Sequence, residues 1–272
     1  MPKIHPTACV ESGARIADDA EIGPYCVIGS HVSIGNGCRL VSHVVLDGHT
    51  DIGQRTVIHP HTSLGSPPQS VHYAGGSTRL VIGADCQIRE CVTMNTGTEK
   101  GGGLTSVGDG CFFMACSHVA HDCHVGNRVV MANYAVLGGH CVVGDNVFIA
   151  GLAGAHQFCR IGSYAMIGAS TVLRGDLIPY GLASGHYAEL AGLNRVGMKR
   201  SGMSRQSIHA VRAAYRMLFS NEGVFAERID RTEREFSSEA AIMQIVSFLR
   251  ADTKRPLCLP RGAQEAQHAE EE

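Results

Sequence analysis

Residues 117–124 of this 272-residue chain read SHVAHDCH and concentrate side chains that transfer protons. A neutral imidazole accepts a proton near neutral pH, because the ordinary pKa of histidine is about 6.5. Asp122 follows His121 directly, and a carboxylate beside the ring can orient or polarise it. The segment therefore predicts general-base chemistry, with His121 as the base and Asp122 as its partner.

Two other chemistries can use the same segment. Zinc takes three or four nitrogen or sulfur ligands, which His118, His121 and His124 could supply in part. Cys123 is a possible nucleophile for covalent catalysis. The repeat described next disfavours both, since it points the three histidines in different directions and places Cys123 at an inward position.

The elements that position these residues follow from a repeat of six. An aliphatic residue recurs at this interval between Ile4 and Leu173, and 24 of the 26 repeat positions are Ile, Leu, Val or Met. A period of six fits neither an amphipathic helix nor a simple strand, and it is typical of a solenoid. The pattern predicts a β-class fold: a parallel β-helix of hexapeptide repeats over residues 1–190, then a small α-helical domain over 191–272.

Three hexads make one coil, so residues 18 apart should stack about one strand spacing (~4.8 Å) from each other. The columns predicted at the polar edge are His121, Gly139 and Gln157; Asp122 and His140; and Ala120, Gly138 and His156. The Gly139 N–H could stabilise a developing oxyanion, because a residue without Cβ lets a substrate approach the backbone. A base and an oxyanion donor indicate direct acyl transfer to a bound hydroxyl or amine.

Two segments interrupt the repeat, 66–78 and 95–106, and loops on a rigid scaffold often carry ligand contacts. Beyond Gly202 the apolar period becomes helical. Ser204 is the predicted N-cap of one helix, a second covers 222–235, and a third follows Ser237. These helices are expected to cover the open end of the coils. The tail from Arg261 onward is polar and predicted to be disordered.

The net charge of −2 hides a basic stretch, because no acidic residue lies between Glu189 and Glu222. Its cations are Arg195, Lys199, Arg200, Arg205, Arg212 and Arg216. A solvated basic face and a site for a phosphate-bearing ligand or acidic partner both remain open. Nucleic acid is not expected, since Tyr215 is the only aromatic residue among these cations.

Seven of the eleven cysteines occupy the inward position of a hexad, as expected for reduced thiols in a cytoplasmic protein. No run of apolar residues is long enough for an integral membrane segment, and no basic region followed by an apolar one opens the chain, so export is not expected. Neither a metal nor another cofactor is expected.

Several motifs match a known family over nearly the whole chain. They are IHPTA near the start, YAGG at 73–76, GGGLT at 101–105, SHVAHDCHVGN at 117–127, LGGH at 137–140, AHQFCRIG at 155–162 and GLNRVGMKRSG at 192–202. In these motifs the chain resembles the hexapeptide-repeat UDP-N-acetylglucosamine O-acyltransferases of lipid A biosynthesis. The resemblance implies a left-handed β-helix and a homotrimer with sites between subunits. It also implies transfer of a 3-hydroxyacyl group from acyl carrier protein to the sugar 3-hydroxyl.

The resemblance also implies roles for individual residues. His121 corresponds to the general base, Asp122 to its partner and Gly139 to the oxyanion donor. The implied substrate contacts are Ser70, His72, His118, His140, His156 and Gln157, with Asn194 and Arg200 at the nucleotide and pyrophosphate. Ala169 and Tyr187 correspond to the end of the acyl groove, where side-chain bulk limits chain length.

The chain departs from the family pattern at four of the motif positions. Ser70 and His72 replace an acidic residue and a lysine of the first loop, while Val196 replaces an acid and Ser201 an arginine. The changed loop keeps N-acylation of a 3-amino analogue of UDP-N-acetylglucosamine open as an alternative. A carbonic-anhydrase-like metal enzyme and a purely structural β-helix are the alternatives from other classes.

Overall fold

The computed structural model of the chain describes residues 1–261. Its short parallel strands form three faces, called A, B and C, which the chain visits in that order. Face A contains Lys3–Ile4, Glu21–Ile22, Arg39–Leu40, Val57–Ile58, Gln87–Ile88, Phe112–Phe113, Val130–Met131, Phe148–Ile149, Met166–Ile167, Gly181–Ser184 and Glu189–Leu193. Face B contains Cys9–Val10, Val27–Ile28, Val45–Leu46, Ser63–Ser66, Thr93–Asn95, His118–Val119, Val136–Leu137, Gly154–Ala155 and Val172–Leu173. Face C contains Arg15–Ile16, Ser33–Ile34, His49–Ile52, Arg79–Ile82, Leu104–Val107, His124–Val125, Val142–Val143 and Arg160–Ile161.

The register confirms the step of 18 residues per coil. His118 pairs with Val136, and Val136 pairs with Gly154. The second residue of each two-residue strand points inward: Ile28, Leu46 and Leu137, for example, are fully buried. The predicted parallel β-helix of hexapeptide repeats is therefore confirmed, with the aliphatic positions forming its core.

Each coil has three corners, named here AB, BC and CA after the faces they join. Many corners place one non-glycine residue in the left-handed region, such as Cys116 at an AB corner (φ 61°), Asp122 at a BC corner (φ 59°) and Asn146 at a CA corner (φ 59°). This conformation turns the chain between short strands and aims successive side chains in different directions. The inward cysteines are buried free thiols, as their position in the hexad predicts.

Both predicted interruptions leave the coil at the BC corner. The first separates the face B strand Ser63–Ser66 from the face C strand Arg79–Ile82. The second separates Thr93–Asn95 from Leu104–Val107 and contains a short 3₁₀ turn at Glu99–Gly101. Since the register continues across both loops, they project beside the next BC corner, which is that of His121 and Asp122.

Four helices follow the coils: α1 is Arg195–Arg200, α2 is Arg205–Leu218, α3 is Phe225–Glu235 and α4 is Ala240–Arg250. Ser204 caps α2 through a bond from the Ser207 N–H, as predicted. The helix predicted from residue 222 begins at Phe225 instead, because Gly223 adopts a left-handed conformation and Val224 is extended.

The helices join the end of the coil stack through one shared hydrophobic core, which includes Val211, Ile242 and Ile245. The strand Glu189–Leu193 pairs antiparallel with Gly181–Ser184 and spans residue 190, so the division at that residue stays a prediction. The predicted disorder of the tail concerns residues that, apart from Arg261, lie outside those described. No helix within 1–261 is long and apolar enough to cross a membrane.

Candidate active site

His121 and Asp122 form a direct hydrogen-bonded pair at the BC corner. The His121 Nδ1 atom lies 2.8 Å from the Asp122 Oδ2 atom. Asp122 is 1% exposed, whereas the His121 side chain is 14% exposed and keeps one edge open. Because the Nδ1–H group donates a hydrogen bond to the carboxylate, the other ring nitrogen, Nε2, carries the free lone pair.

The second loop holds the Asp122 carboxylate from the opposite side. Thr98 donates its N–H to Oδ1 at 2.8 Å and its hydroxyl to Oδ2 at 2.7 Å. A Cβ at Gly101 would come within 2.2 Å of the same carboxylate, so only glycine fits this close approach. The interruption of the repeat thus builds the pocket that surrounds the aspartate.

This environment keeps Asp122 ionised. Burial raises the pKa of the carboxyl, but the bonds from Thr98 and His121 and the nearby His140 outweigh it. The net result is a pKa below the ordinary value of aspartate. A charged carboxylate can therefore stabilise a proton on His121 when the imidazole acts as a base.

The predicted column of Asp122 and His140 extends by one more residue, Phe158. His140 lies 3.7 Å from the Asp122 Oδ2 atom and stacks on Phe158, with ring centroids 4.4 Å apart. Burial lowers the pKa of His140, the charges of His121 and Lys254 act in the same direction, and Asp122 opposes them. His140 is therefore biased towards the neutral form and is suited to hydrogen bonding rather than ion pairing.

Gly139 lies directly beneath the His121 ring. A Cβ at this position would meet His121 Cε1 at 2.6 Å and Nε2 at 2.9 Å, so any other residue would displace the imidazole. Within residues 1–261, the Gly139 N–H donates to no other group. An unpaired N–H next to the free imidazole nitrogen is the arrangement that oxyanion stabilisation needs.

His118 lies three residues before His121, on the outside of the face B strand that leads into this corner. Its Nδ1 atom is 2.8 Å from the Thr93 hydroxyl, and burial lowers the pKa of the ring. His156 and Gln157 lie in the second coil after that of His121, as the step of 18 predicts, and both are exposed. The structure thus brings His118, Gly139, His140, His156 and Gln157 to or beside the corner that holds His121.

A cavity of about 380 Å³ opens over this corner. Residues predicted from the first loop contribute to it, since Ser70 and His72 line the cavity together with His121 and His140. Its other lining residues are Thr98, Glu99, Lys100, Gly101, Phe158 and Lys254.

Four predicted residues lie elsewhere in the chain. Asn194 is buried near the CA corner, where it caps α1 by accepting the Gly197 N–H and donates to the Tyr164 carbonyl. Arg200 is exposed at the end of α1. Ala169 follows a face A strand at the AB corner, and Tyr187 pairs with Val172 on face B.

The sequence reasoning missed several residues that line the cavity, among them Phe158, Thr98 and Lys254. Phe158 could have been found, because it lies 18 residues after His140 in the same column. Thr98 belongs to a loop without a period, and Lys254 reaches the cavity only through the fold of the helices.

His121, Asp122 and His140 are also a possible metal-binding group, since their ligand atoms lie within 4.8 Å of one another. The zinc set considered and disfavoured from the sequence, His118, His121 and His124, differs from this group. His118 and His124 bond instead to Thr93 and Ser106. The Asp122 oxygens already accept three hydrogen bonds, so the geometry favours a proton-transfer pair. Cys123 is fully buried and donates to the Gly138 carbonyl, which removes it as a nucleophile.

The coil of hexapeptide repeats and the hydrogen-bonded His121–Asp122 pair are together typical of a hexapeptide-repeat acyltransferase. Family models match accordingly: bacterial transferase hexapeptide repeats at 105–139 and domain 2 of UDP-N-acetylglucosamine O-acyltransferase at 176–258. A model of the GMPPB C-terminal domain matches residues 4–98.

Curated relatives agree over nearly the full length. The acyl-[acyl-carrier-protein]–UDP-N-acetylglucosamine O-acyltransferase of Azorhizobium caulinodans is 54% identical over 94% of this chain and 95% of its own. The Bartonella henselae enzyme of the same name is 46% identical over 95% and 94%. The chain therefore belongs to the acyl-[acyl-carrier-protein]–UDP-N-acetylglucosamine O-acyltransferase family.

Solved structures of the family superpose closely. The Moraxella catarrhalis UDP-N-acetylglucosamine O-acyltransferase has a TM-score of 0.90 at 38% identity, covering 94% of this chain and 99% of that one. The Francisella novicida UDP-N-acetylglucosamine acyltransferase has a TM-score of 0.92 at 30% identity, covering 96% of both chains.

Proposed function

We propose that this chain transfers a 3-hydroxyacyl group from acyl carrier protein to the 3-hydroxyl of UDP-N-acetylglucosamine, the first step of lipid A biosynthesis. The observation that carries the proposal is the His121–Asp122 pair above the unpaired N–H of Gly139. Family membership supplies the substrate classes, and the geometry supplies a means of catalysis.

The reaction needs no covalent enzyme intermediate. His121 Nε2 takes the proton of the sugar 3-hydroxyl as its oxygen attacks the thioester carbonyl. A new C–O bond forms, and the oxyanion accepts the Gly139 N–H. The C–S bond then breaks, and the thiolate of the carrier takes the proton from His121. Asp122 stabilises the imidazolium between these two steps.

The outside of face B offers a path for the acyl chain. In register from coil to coil lie His118, Val136, Gly154 and Val172, and Tyr187 pairs with the last of them. Four strand spacings of ~4.8 Å make this path about 19 Å long. We place the acyl chain here, with Tyr187 at its end, as the resemblance implies.

We also propose that the enzyme works as a homotrimer. The predicted contacts lie at three different corners of one protomer: His121 at BC, Asn194 at CA and Ala169 at AB. Corners of different copies can meet around a threefold axis, whereas corners of one coil cannot. Exposed apolar side chains on face B and the AB corner support such packing. They include Tyr25, Val27, Val45, Tyr134, Val136 and Leu152. Sedimentation of the purified protein as a monomer would contradict the trimer.

The basic stretch suits an acidic carrier protein. Arg195, Arg212 and Arg216 surround a hollow of about 220 Å³ with Leu193 and Tyr215. We assign this surface to acyl carrier protein, in the cytoplasm. The Michaelis constant for the acylated carrier should then rise with salt concentration, because exposed charge pairs are screened.

One assay tests the reaction and its acceptor together. The enzyme is given a mixed pool of 3-hydroxyacyl carrier thioesters with UDP-N-acetylglucosamine and its 3-amino analogue, and the products are identified by mass. An ester of UDP-N-acetylglucosamine is expected, and its mass also gives the preferred acyl length. Turnover confined to the amine would contradict the proposal and support N-acylation.

A further inference from the structure

The segment after α4, residues 252–260, returns to the BC corner and is called here the C-terminal strap. Asp176 fastens it through three contacts. The Asp176 N–H donates to the Pro256 carbonyl at 2.8 Å, the Cys258 N–H donates to the Asp176 carbonyl at 2.8 Å, and the Thr253 hydroxyl donates to the carboxylate. The strap therefore has its own anchor, separate from the residues discussed next.

Two cations of the strap, Lys254 and Arg255, lie against the coil that contains residues 156–158. Lys254 lies over the Phe158 ring, with its ammonium 4.8 Å from the ring centroid. Arg255 contacts His156 and Gln157: its Nη2 atom is 2.6 Å from His156 Nδ1, and its Nε donates to the Gln157 carbonyl at 2.9 Å. A residue 99 positions away along the chain thus fixes one of the site histidines.

The contact with Arg255 determines where the His156 ring carries its proton. A guanidinium has five N–H donors and no acceptor, so His156 Nδ1 must supply a lone pair. The same Nδ1 atom lies 3.4 Å from the Gln157 carbonyl, a contact that would require an N–H at Nδ1. The two contacts exclude each other. The shorter one prevails, because arginine keeps its protons at any physiological pH.

We propose that Arg255 is a positioning residue of the acyl transfer: it holds His156 in the Nε2–H tautomer, so that the ring donates a hydrogen bond towards bound substrate. This inference rests on the proposed function for the identity of the substrate, but the tautomer itself does not. His156 then differs from His121, whose Nδ1 is bonded to a carboxylate and whose Nε2 accepts. Two histidines on neighbouring columns present opposite hydrogen-bonding edges because their Nδ1 partners are opposite in kind.

The full-length enzyme with Arg255→Met tests the proposal, since methionine keeps the length of the side chain and removes every donor. We expect kcat/KM to fall about tenfold, which corresponds to the loss of one hydrogen bond of ordinary strength. In ¹⁵N-histidine spectra, His156 should change from the Nε2–H tautomer to a mixture of tautomers, with its signals assigned through His156→Gln. Arg255→Lys should restore part of the activity, because one donor remains. Arg261→Met, another arginine removed near the end of the described chain, is the matched control and should match the unchanged enzyme.

A double-mutant cycle separates positioning from a structural role. If Arg255 acts through His156, Arg255→Met should lower kcat/KM no further in a His156→Ala background. Additive losses, or an unchanged tautomer in Arg255→Met, would overturn the inference. The cycle uses whichever acceptor the unmodified enzyme acylates, so a failure of the proposed acceptor leaves this test intact.

Discussion

The CA and BC corners turn the chain in the same way, but they differ in the hydrogen bonding of one backbone N–H group, that of the second residue after the aliphatic position. At four consecutive CA corners, the second residue after the aliphatic position donates its N–H to a side chain of the next coil. The donor and acceptor pairs are Ala84 and Asp109, Asp109 and Asn127, Asn127 and Asp145, and Asp145 and Ser163, at 2.7 to 3.1 Å. At the BC corner the same positions are His121, Gly139 and Gln157, whose N–H groups find no partner within residues 1–261.

This difference shows how a repetitive scaffold gains a reactive site. At these four CA corners short side chains accept the backbone N–H groups, and this column is structural. At the BC corner a glycine and a long glutamine leave the N–H groups open, and a loop supplies partners for Asp122 instead. The backbone contributes a row of donors at every corner, and the side chains decide whether those donors can serve a substrate.

The largest expected effect comes from removing the base. His121→Ala should lower kcat by about 10² to 10⁴-fold, which is the usual contribution of general-base catalysis. The melting temperature should also fall, because the buried Asp122 carboxylate loses one of its hydrogen bonds, but the hydrophobic core stays intact. Steady-state kinetics and thermal unfolding measure the two effects. A variant that keeps its kcat would place the base elsewhere.

The second prediction concerns a substitution that gives the BC corner the side-chain acceptor found at the CA corner. Gln157→Asn provides the shorter amide that Asn127 uses to accept the N–H of the preceding coil. Its oxygen should accept the Gly139 N–H and remove it from the reaction, lowering kcat about 10²-fold.

Gln157→Ala is the control for this substitution, since it removes the glutamine side chain but provides no acceptor for the Gly139 N–H. Its kcat should lie well above that of the asparagine variant. Equal rates for the two variants would mean that Gly139 is not the oxyanion donor.

The third prediction removes the loop's support for Asp122. In Thr98→Val the hydroxyl bond to the carboxylate is lost, so the pKa of Asp122 should rise from its lowered value. The acid side of the kcat–pH profile should then move to higher pH. A bond to a charged group contributes about 1.5–3 kcal/mol, which unfolding by urea at pH 7 would detect as lost stability.

The sign of the pH effect follows from linkage. A carboxylate with a lowered folded pKa adds stability above its unfolded pKa, and this stability disappears as the pH falls through the folded pKa. The stability difference between the wild-type chain and Thr98→Val should therefore shrink in acid. Thr98→Ser keeps the hydroxyl and should retain both the profile and the stability. Coincident profiles for the valine and wild-type proteins would remove Thr98 from the mechanism.

The step of 18 residues explains which parts of the site could be predicted from the sequence. It placed Gly139 beneath His121 and His140 beside Asp122, because both relations follow from the repeat. Thr98 and Arg255 could not be found this way. Their positions depend on how a loop and a strap fold back onto the coil, and neither has a period that ties it to the register. The start of α3 was misplaced for a local reason, the left-handed turn at Gly223.

The smallest expected effect lies at the CA corner and completes the comparison. Asn127→Ala removes the acceptor of the Asp109 N–H and a bond from Asn127 Nδ2 to Asp145 Oδ1. These groups are partly solvated, so stability should fall by about 1 kcal/mol, measured by urea unfolding, with kcat unchanged. Asn127 occupies the same position in its hexad as Gly139 does at the BC corner. A fall in kcat without a fall in stability would show that the two corners are coupled, and the CA column could then no longer be called structural.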